Sequence, residues 1–366
     1  MATPAPLAIL AGGGTGGHVF PALAVAQGLV ARGWRVRLVG SNRGLEARLA
    51  AEHGVPFSAL PAEPFLGRGP LARLRSLATL LRSARAARNL VAKEGARLVL
   101  GTGGYAAAPA MLGGWMAGRP LLLLEPNARS GVANRWLSRL ADEALVGFER
   151  TARELACPAT VTGVPVRGEF HQVAPFPLEG RGHSVLVLGG SQGARQLNEL
   201  LPPALAALAP SLPGLQVLHQ CGAAHVAATE EAYRRCGLAA GTVEVVPFLQ
   251  DVAGTMARAD LVVSRAGAIT VAEIAAAGRP ALFLPLGIAG GHQVANALEL
   301  VEAGAAALLD PSEATVEELR ERLSVLLADR GRLALMAEAA RRLARPEALE
   351  AILERVEHWA KEEAAA

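Results

Sequence analysis

Two glycine-rich turns, each preceded by a short apolar run, sit in different halves of the chain: LAILAGGGTGGHVFPA (Leu7 to Ala22) and VLVLGGSQGARQLN (Val185 to Asn198). Each reads as a buried strand, a tight turn and a helix N-terminus, where open backbone N–H groups and the helix dipole favour a phosphate. A third turn, GTGGY (Gly101 to Tyr105), follows the strand-like RLVL. One such loop is weak evidence. Loops of this kind opening both halves point to two nucleotide-type domains facing a cleft.

The rest of the chain supports that organisation. Short apolar strand candidates recur at Leu7 to Leu10, Arg35 to Val39, Arg97 to Leu100, Pro120 to Leu124 and Glu143 to Val146. They recur in the second half at Ser184 to Leu188, Leu215 to His219, Thr242 to Val246, Asp260 to Val263 and Pro280 to Pro285. Helical patterns separate them, for example Pro21 to Ala31, with Pro read in the first turn and Gly33 closing the helix. Alternating strands and helices give the fold class: α/β, two Rossmann-like doubly wound parallel sheets. The segment TVTGVPVRGEFHQ, with Gly163 and Pro165, is the expected hinge, and a charged helix from Pro346 to Lys361 closes the chain.

Composition narrows the class. With 366 residues the chain is too long for one typical core and suits two α/β domains. A formal net charge of +3 implies no nucleic-acid partner. Cys157, Cys221 and Cys236 are odd in number and lack close metal-type spacing, so they read as unpaired thiols of a reducing compartment. The start, MATPAPLAIL, lacks a positive n-region, so no secretory signal is expected. Mean hydropathy is positive, yet the uncharged stretch Leu98 to Gly118 is broken by glycines and Pro109, and Pro280 to Leu298 by Pro285 and Gly290-Gly291. Both read as buried α/β core, not as membrane spans.

Individual motifs leave alternatives open. Gly12, Gly14 and Gly17 satisfy G-x-G-x-x-G, but Ser41, Asn42 and Arg43 stand where a dinucleotide site carries an acid. An NADP-dependent oxidoreductase tolerates that. His18, just after the glycines, reads either as a packed or capping histidine or as a neutral general base, since a positive dipole end lowers imidazole basicity. In DLVVSRAGAITVAEIAAAGRPALFLPL, open amides at Ala268, Ile269 and Thr270 would meet a pyrophosphate. Glu273, expected within about the first turn of that helix, could accept from both ribose hydroxyls or simply complement the dipole. His292, Gln293 and Asn296 in GIAGGHQVANA cluster uncharged hydrogen-bonding groups, as sugar recognition requires, and favour the ligand reading.

Taken together, GGGTGGHVFPALA, GTGGYAAAPA, GVPVR, GGSQGARQLN, SRAGAITVAEIAAAGRPALFLPL and GGHQVANA resemble the MurG family of membrane-associated glycosyltransferases, collinearly from about Leu7 to Leu309. One departure is EPNARSGVAN, where Pro126 replaces the family's usual Gln. The resemblance implies a GT-B fold and inverting, metal-independent transfer of N-acetylglucosamine from UDP-N-acetylglucosamine to the 4-hydroxyl of undecaprenyl-pyrophosphoryl-N-acetylmuramyl-pentapeptide, with no cofactor. It assigns donor contacts to Thr15, Gly16, Gly17, Arg167, Ser191, Phe248, Leu249, Ala268, Ile269, Thr270, Glu273, His292, Gln293 and Asn296. It makes His18 the base, with Gly104, Tyr105, Asn127 and Asn134 beside it on the acceptor side. No Asp-x-Asp occurs in the chain.

On this reading residues 1–163, joined by helix 346–363, form the acceptor and membrane-facing domain, and 164–345 the UDP-sugar domain. The acceptor's lipid tail implies a peripheral protein on the cytoplasmic face of an anionic membrane. Leu74, Leu77, Leu81, Arg82, Arg85 and Trp115 are the candidate membrane residues. A UDP-N-acetylglucosamine 2-epimerase is the main rival reading. An NADP oxidoreductase leaves the second-half motifs unexplained, and a non-catalytic sugar-nucleotide sensor would have no need of His18.

Overall fold

A computed structural model describes the chain apart from residues 1–4, 15, 42–45, 64–69, 180–182, 191, 239–240, 288–290 and 366, and apart from the side chains of 70–74 and 363–365. The chain divides into two compact units, residues 1–166 with 347–366, and residues 167–346.

In the first unit the strands are β1 (Leu7–Ala11), β2 (Arg35–Gly40), β3 (Phe57–Ala59), β4 (Ala96–Gly101), β5 (Leu121–Glu125), β6 (Glu143–Val146) and β7 (Ala159–Val161). They form one parallel sheet in the order β3-β2-β1-β4-β5-β6-β7. The second unit holds β8 (His183–Leu188), β9 (Leu215–Gln220), β10 (Val243–Val246), β11 (Leu261–Ser264), β12 (Ala281–Phe283) and β13 (Ala306–Leu308). Their order is β10-β9-β8-β11-β12-β13, again all parallel. Both sheets are doubly wound. In each, chain direction across the sheet reverses beside the first strand, between β1 and β4 and between β8 and β11. Such a switch point opens a crevice at the C-terminal strand ends.

The strands are continuous apolar runs because helices cover both faces of each sheet. β1, Leu7–Ala11, is buried throughout. The first helix, Gly16–Ala31, turns Val19, Ala22, Leu23, Ala26 and Leu29 inward at helical spacing. It starts earlier than the sequence reading placed it, so Pro21 lies inside the helix and not in its first turn. The missing N–H frees only the carbonyl of Gly17, which is exposed to water. Gly33, at φ +81°, ends the helix in the left-handed conformation, with Trp34 N–H bonded back to Leu29 O at 3.0 Å.

The closing helix, Ala348–Ala365, belongs to the first unit. Ile352, Leu353, Val356 and Ala360 enter its core beside Leu29 and Leu10. A Cβ added at Gly28 would come within 2.7 Å of Leu353. Arg355 and Trp359 both donate to the carboxylate of the buried Glu143 on β6, and Thr160 donates to it from β7. These donors hold Glu143 below the usual carboxylate range against the opposing effect of burial. In the second unit the 1% exposed Arg279 donates to the carbonyls of Met256, Ala257, Ala174, Ala277 and Gly278, which close two helix ends on one cation. Among the described residues no helix is long and apolar enough to cross a membrane.

Candidate active site

In the first unit the loops after β1, β4 and β5 meet. His18, third residue of helix Gly16–Ala31, places Nδ1 2.9 Å from Thr102 O. A carbonyl can only accept, so Nδ1 carries the hydrogen and Nε2 keeps the lone pair, the tautomer a general base needs. Thr102 Oγ1 donates in turn to His18 O at 2.8 Å. Glycine makes this contact possible. A Cβ at Gly103 would lie 3.0 Å from the His18 ring and 3.1 Å from Asn134 Nδ2, and one at Gly104 would lie 2.6 Å from Gly13 O. Tyr105 stands over Gly14, with Cε1 3.4 Å from the place of its missing Cβ. His18, Gly104, Tyr105 and Asn134 thus come together.

Asn127 and Asn134 are arranged by a residue the sequence reading gave no role, Glu125, at the end of β5 and 1% exposed. Its Oε1 accepts from Asn127 N at 3.0 Å and Asn127 Nδ2 at 2.9 Å, and its Oε2 from Gly131 N at 2.9 Å and Asn134 Nδ2 at 3.0 Å. Pro126 leaves this set intact, because none of these bonds needs its N–H. Asn134 Oδ1 is buried and makes no hydrogen bond among the described residues. A second unassigned acid, Glu46, lies wholly buried beneath the first glycine loop and accepts from Ser41 N, Ser41 Oγ and Gly14 N. An acid closing the all-apolar run LLLLE was the available signal for Glu125; Glu46 carried none.

In the second unit the expected donor residues lie on the loops and helix starts after β8, β10, β11 and β12. Helix Ala268–Ala277 begins after Gly267 with no side-chain cap, so the amides of Ala268, Ile269 and Thr270 are its open first turn. Glu273 is its sixth residue, in the second turn and not the first, and no acid occupies the first turn. Dipole complementation therefore does not account for it. Burial pushes its carboxyl up to about 7, against the lowering effect of Arg167, whose guanidinium is 3.8 Å away. Arg167 also pairs with Glu169 at 3.0 Å and lies 5.0 Å from the Phe170 ring centroid. Arg265, at the end of β11, is partly buried, its basicity lowered by burial, and it makes no hydrogen bond or ion pair among the described residues.

The cluster expected to read the sugar is partly committed elsewhere. Asn296, fully buried, donates from Nδ2 to Ala266 O at 3.0 Å and ties helix His292–Glu302 to the turn before Ala268. Gln293 Oε1 accepts from Leu286 N at 2.8 Å, so its amide N–H groups are what it has to offer a ligand. His292 opens the helix, and Phe248, 58% exposed, follows β10 with Leu249. Thr15 and Ser191 lie outside the described residues. A hollow of about 340 Å³ bordered by Ser184, Gln216, Glu244 and Arg258 lies at the N-terminal strand ends, and none of the expected site residues lines it.

Of the membrane candidates, Leu77 and Leu81 are exposed on helix Pro70–Glu94, with Arg82 and Arg85 exposed beside them. The side this helix buries carries Ser76, Ser83, Ala84, Ala87 and Val91. Gly113 of helix Ala108–Met116 sits so close to it that a Cβ would meet Ala87 at 2.5 Å. Trp115 on that second helix is 56% exposed. The Leu74 side chain lies outside the described residues.

Comparison with known proteins agrees with this layout. Residues 8–146 match the glycosyltransferase family 28 N-terminal domain and residues 184–352 its C-terminal domain. The UDP-N-acetylglucosamine–N-acetylmuramyl-(pentapeptide) pyrophosphoryl-undecaprenol N-acetylglucosamine transferase of Aeromonas hydrophila is 43% identical over 343 residues, 93% of each chain. Its namesake from Halorhodospira halophila is 44% identical over 349 residues, covering 94% of this chain and 95% of that one. The crystal structure of Acinetobacter baumannii MurG superposes with a TM-score of 0.80 at 35% identity, over 96% of this chain and 99% of that one. A Listeria monocytogenes structure titled as a UDP-N-acetylglucosamine 2-epimerase shares the fold at 15% identity and a TM-score of 0.70. The chain therefore belongs to glycosyltransferase family 28 and, within it, to the MurG family of N-acetylglucosamine transferases.

Proposed function

We propose that the protein transfers N-acetylglucosamine from UDP-N-acetylglucosamine to the 4-hydroxyl of undecaprenyl-pyrophosphoryl-N-acetylmuramyl-pentapeptide, with inversion. The observation that carries the reading is His18, whose Nδ1–H is committed to Thr102 O so that Nε2 is the basic atom. Nε2 takes the proton of the attacking hydroxyl as its oxygen bonds to the anomeric carbon and the carbon–oxygen bond to UDP breaks. The transition state gains positive character on the sugar and negative charge on the leaving pyrophosphate. The open amides of Ala268 to Thr270, Arg167, Arg265 and the glycine loop after β8 carry that negative charge, and Glu273 accepts from the ribose hydroxyls. Gln293 and His292 suit the sugar, and Glu125 holds Asn127 and Asn134 for the acceptor. With the leaving charge met by these groups the transfer is metal-independent, so turnover survives excess chelator.

Attachment to an anionic bilayer, at its cytoplasmic face, follows from the acceptor's lipid tail. It draws support from Leu77, Leu81 and Trp115, which are exposed where a core-facing helix would bury them, and from Arg82 and Arg85 beside them.

Incubation with UDP-N-acetylglucosamine and a short-chain lipid-linked muramyl-pentapeptide analogue tests the reading. UDP and a β-linked disaccharide are the expected products. Formation of the 2-epimer of the donor sugar without any acceptor would establish the epimerase instead, and no turnover with intact UDP binding would leave a sugar-nucleotide sensor.

A further inference from the structure

Beneath the loop that follows β8 runs a chain of buried polar side chains for which the transfer reaction has no direct use. His219, on β9, has no exposed surface; Asn198, in helix Arg195–Leu208, is 7% exposed and Tyr233, in helix Val226–Arg235, 3%. Asn198 Nδ2 is 3.1 Å from Cys221 O, His219 Nε2 is 3.1 Å from Asn198 Oδ1, and His219 Nδ1 is 2.9 Å from the Tyr233 hydroxyl. A single placement of hydrogens satisfies all of these contacts. The Cys221 carbonyl can only accept, so the Asn198 amide turns its NH2 there and its oxygen to His219. Nε2 must then carry the imidazole hydrogen, and the Tyr233 hydroxyl donates to Nδ1. Burial lowers His219 to about 3, so the ring stays neutral at any working pH, and burial raises the Tyr233 phenol.

The chain ends where the glycine loop rests. Gly193, at φ +78°, lies so close to Cys221 that a Cβ would fall 2.0 Å from its carbonyl oxygen, and a Cβ at Gly222 would fall 2.5 Å from Gly193 N. Gly189 N donates to Gln220 O at 2.9 Å. The loop therefore lies directly on Cys221-Gly222, and its height is set by where that turn is held. We infer that Asn198 and His219 are positioning residues for the donor pyrophosphate, fixing the floor over which the amides of Gly190 and Gln192 are presented, with Tyr233 locking the His219 tautomer. The inference rests on the donor reading above. Neutrality is what such a floor requires, since a carboxylate there would oppose the phosphates and a protonated His219 would reject the Tyr233 hydroxyl hydrogen.

The test compares UDP with uridine, which lacks the pyrophosphate, by calorimetry on the whole protein. His219→Leu strands the Asn198 oxygen and the Tyr233 hydroxyl, His219→Gln keeps an N–H for Asn198, and Asn198→Asp sets an oxygen against the Cys221 carbonyl. UDP affinity should fall roughly tenfold or more in His219→Leu and Asn198→Asp, with uridine affinity unchanged, and recover most of the way in His219→Gln. The KM for UDP-N-acetylglucosamine should rise by the same factor, with kcat much less affected. Equal weakening of UDP and uridine would reduce the chain to general support of the fold and overturn the inference. So would unchanged UDP affinity in both disruptive variants while wild type still prefers UDP. A wild type that binds UDP no better than uridine would remove the donor reading itself, and this inference with it. Should His219→Leu fail to fold, Asn198→Asp and His219→Gln carry the same comparison.

Discussion

The glycine loops of the two units rest on supports of different electrical character. In the first unit the support is anionic. Glu46 accepts from Gly14 N, and Glu125 gathers the backbone and amide donors of the loop from Asn127 to Asn134. In the second unit the floor under the Gly189–Gly193 loop is the neutral chain of Asn198 and His219. A carboxylate consumes loop amides and adds negative charge, so the Gly14 amide is no longer available to an anion. A neutral floor adds no charge against phosphate, and the amides of Gly190 and Gln192 above it remain for one. Under the reading proposed above, the contrast fits loops of similar sequence that serve the acceptor in one unit and the donor pyrophosphate in the other.

The largest expected effect separates the units outright. His18→Ala should lower turnover by roughly 100-fold or more, as for loss of a general base, while UDP affinity stays at the wild-type value. Parallel loss of turnover and UDP binding would erase the division of labour. Next is Glu125→Gln, which puts an NH2 among donors that need an acceptor. The KM for a lipid-linked acceptor should rise about tenfold, and denaturant unfolding should show a loss of about 1–3 kcal/mol, with uridine binding untouched. Acceptor kinetics like wild type would show that the anionic support is not needed for the acceptor side.

On the donor side, Glu273→Ala should weaken uridine binding roughly tenfold, since the ribose hydroxyls lose their shared acceptor. Calorimetry giving unchanged affinity would remove Glu273 from the ribose. The same residue sets a pH dependence. Its carboxyl titrates at about 7 in the free protein, held up by burial and by neighbouring Glu169 against Arg167, and the ionised form is the one that accepts hydrogen bonds. Uridine, which carries no titrating phosphate, should therefore bind up to about tenfold more weakly at pH 6 than at pH 8, and Glu273→Gln should flatten the profile. A flat wild-type profile would place the titration elsewhere. The smallest effect is expected at the membrane. Leu77 and Leu81 changed to Ser, with Arg82 and Arg85 changed to Glu, should reduce sedimentation with anionic liposomes a few-fold and leave uridine binding as it was. Equal pelleting of variant and wild type would move the lipid-facing surface off this helix.

The interior strands were legible because a strand buried on both faces writes itself as an unbroken apolar run, as in Leu121 to Leu124. β3 and β7 are three-residue edge strands with no fully buried residue in either, and they left no such run. Glycines and first-turn residues of the site were legible for a related reason: backbone amides act through local geometry, which neighbouring sequence dictates. Glu46, Glu125, Asn198 and His219 were not assigned. Glu46 meets Gly14 across 32 positions and Asn198 meets Cys221 across 23, so the partner that gives each side chain its purpose is absent from its own stretch of sequence. Even Glu125, whose partners follow within a few residues, acts by folding a loop back on itself, and no periodicity records that.

The helix Ala348–Ala365 has a consequence for how the protein comes into being. Its Ile352, Leu353 and Val356 fill the core of a unit whose first strand begins at Leu7, and everything between residues 167 and 346 belongs to the other unit. During synthesis the second unit has all its residues outside the ribosome before the first has its last helix. The half of the protein translated first is thus the half finished last, and until then it carries an unfilled apolar groove where Leu29 and Gly28 await their partners. Clipping within helix Ala348–Ala365 would spare the unit that ends just upstream and cripple the one that began the chain.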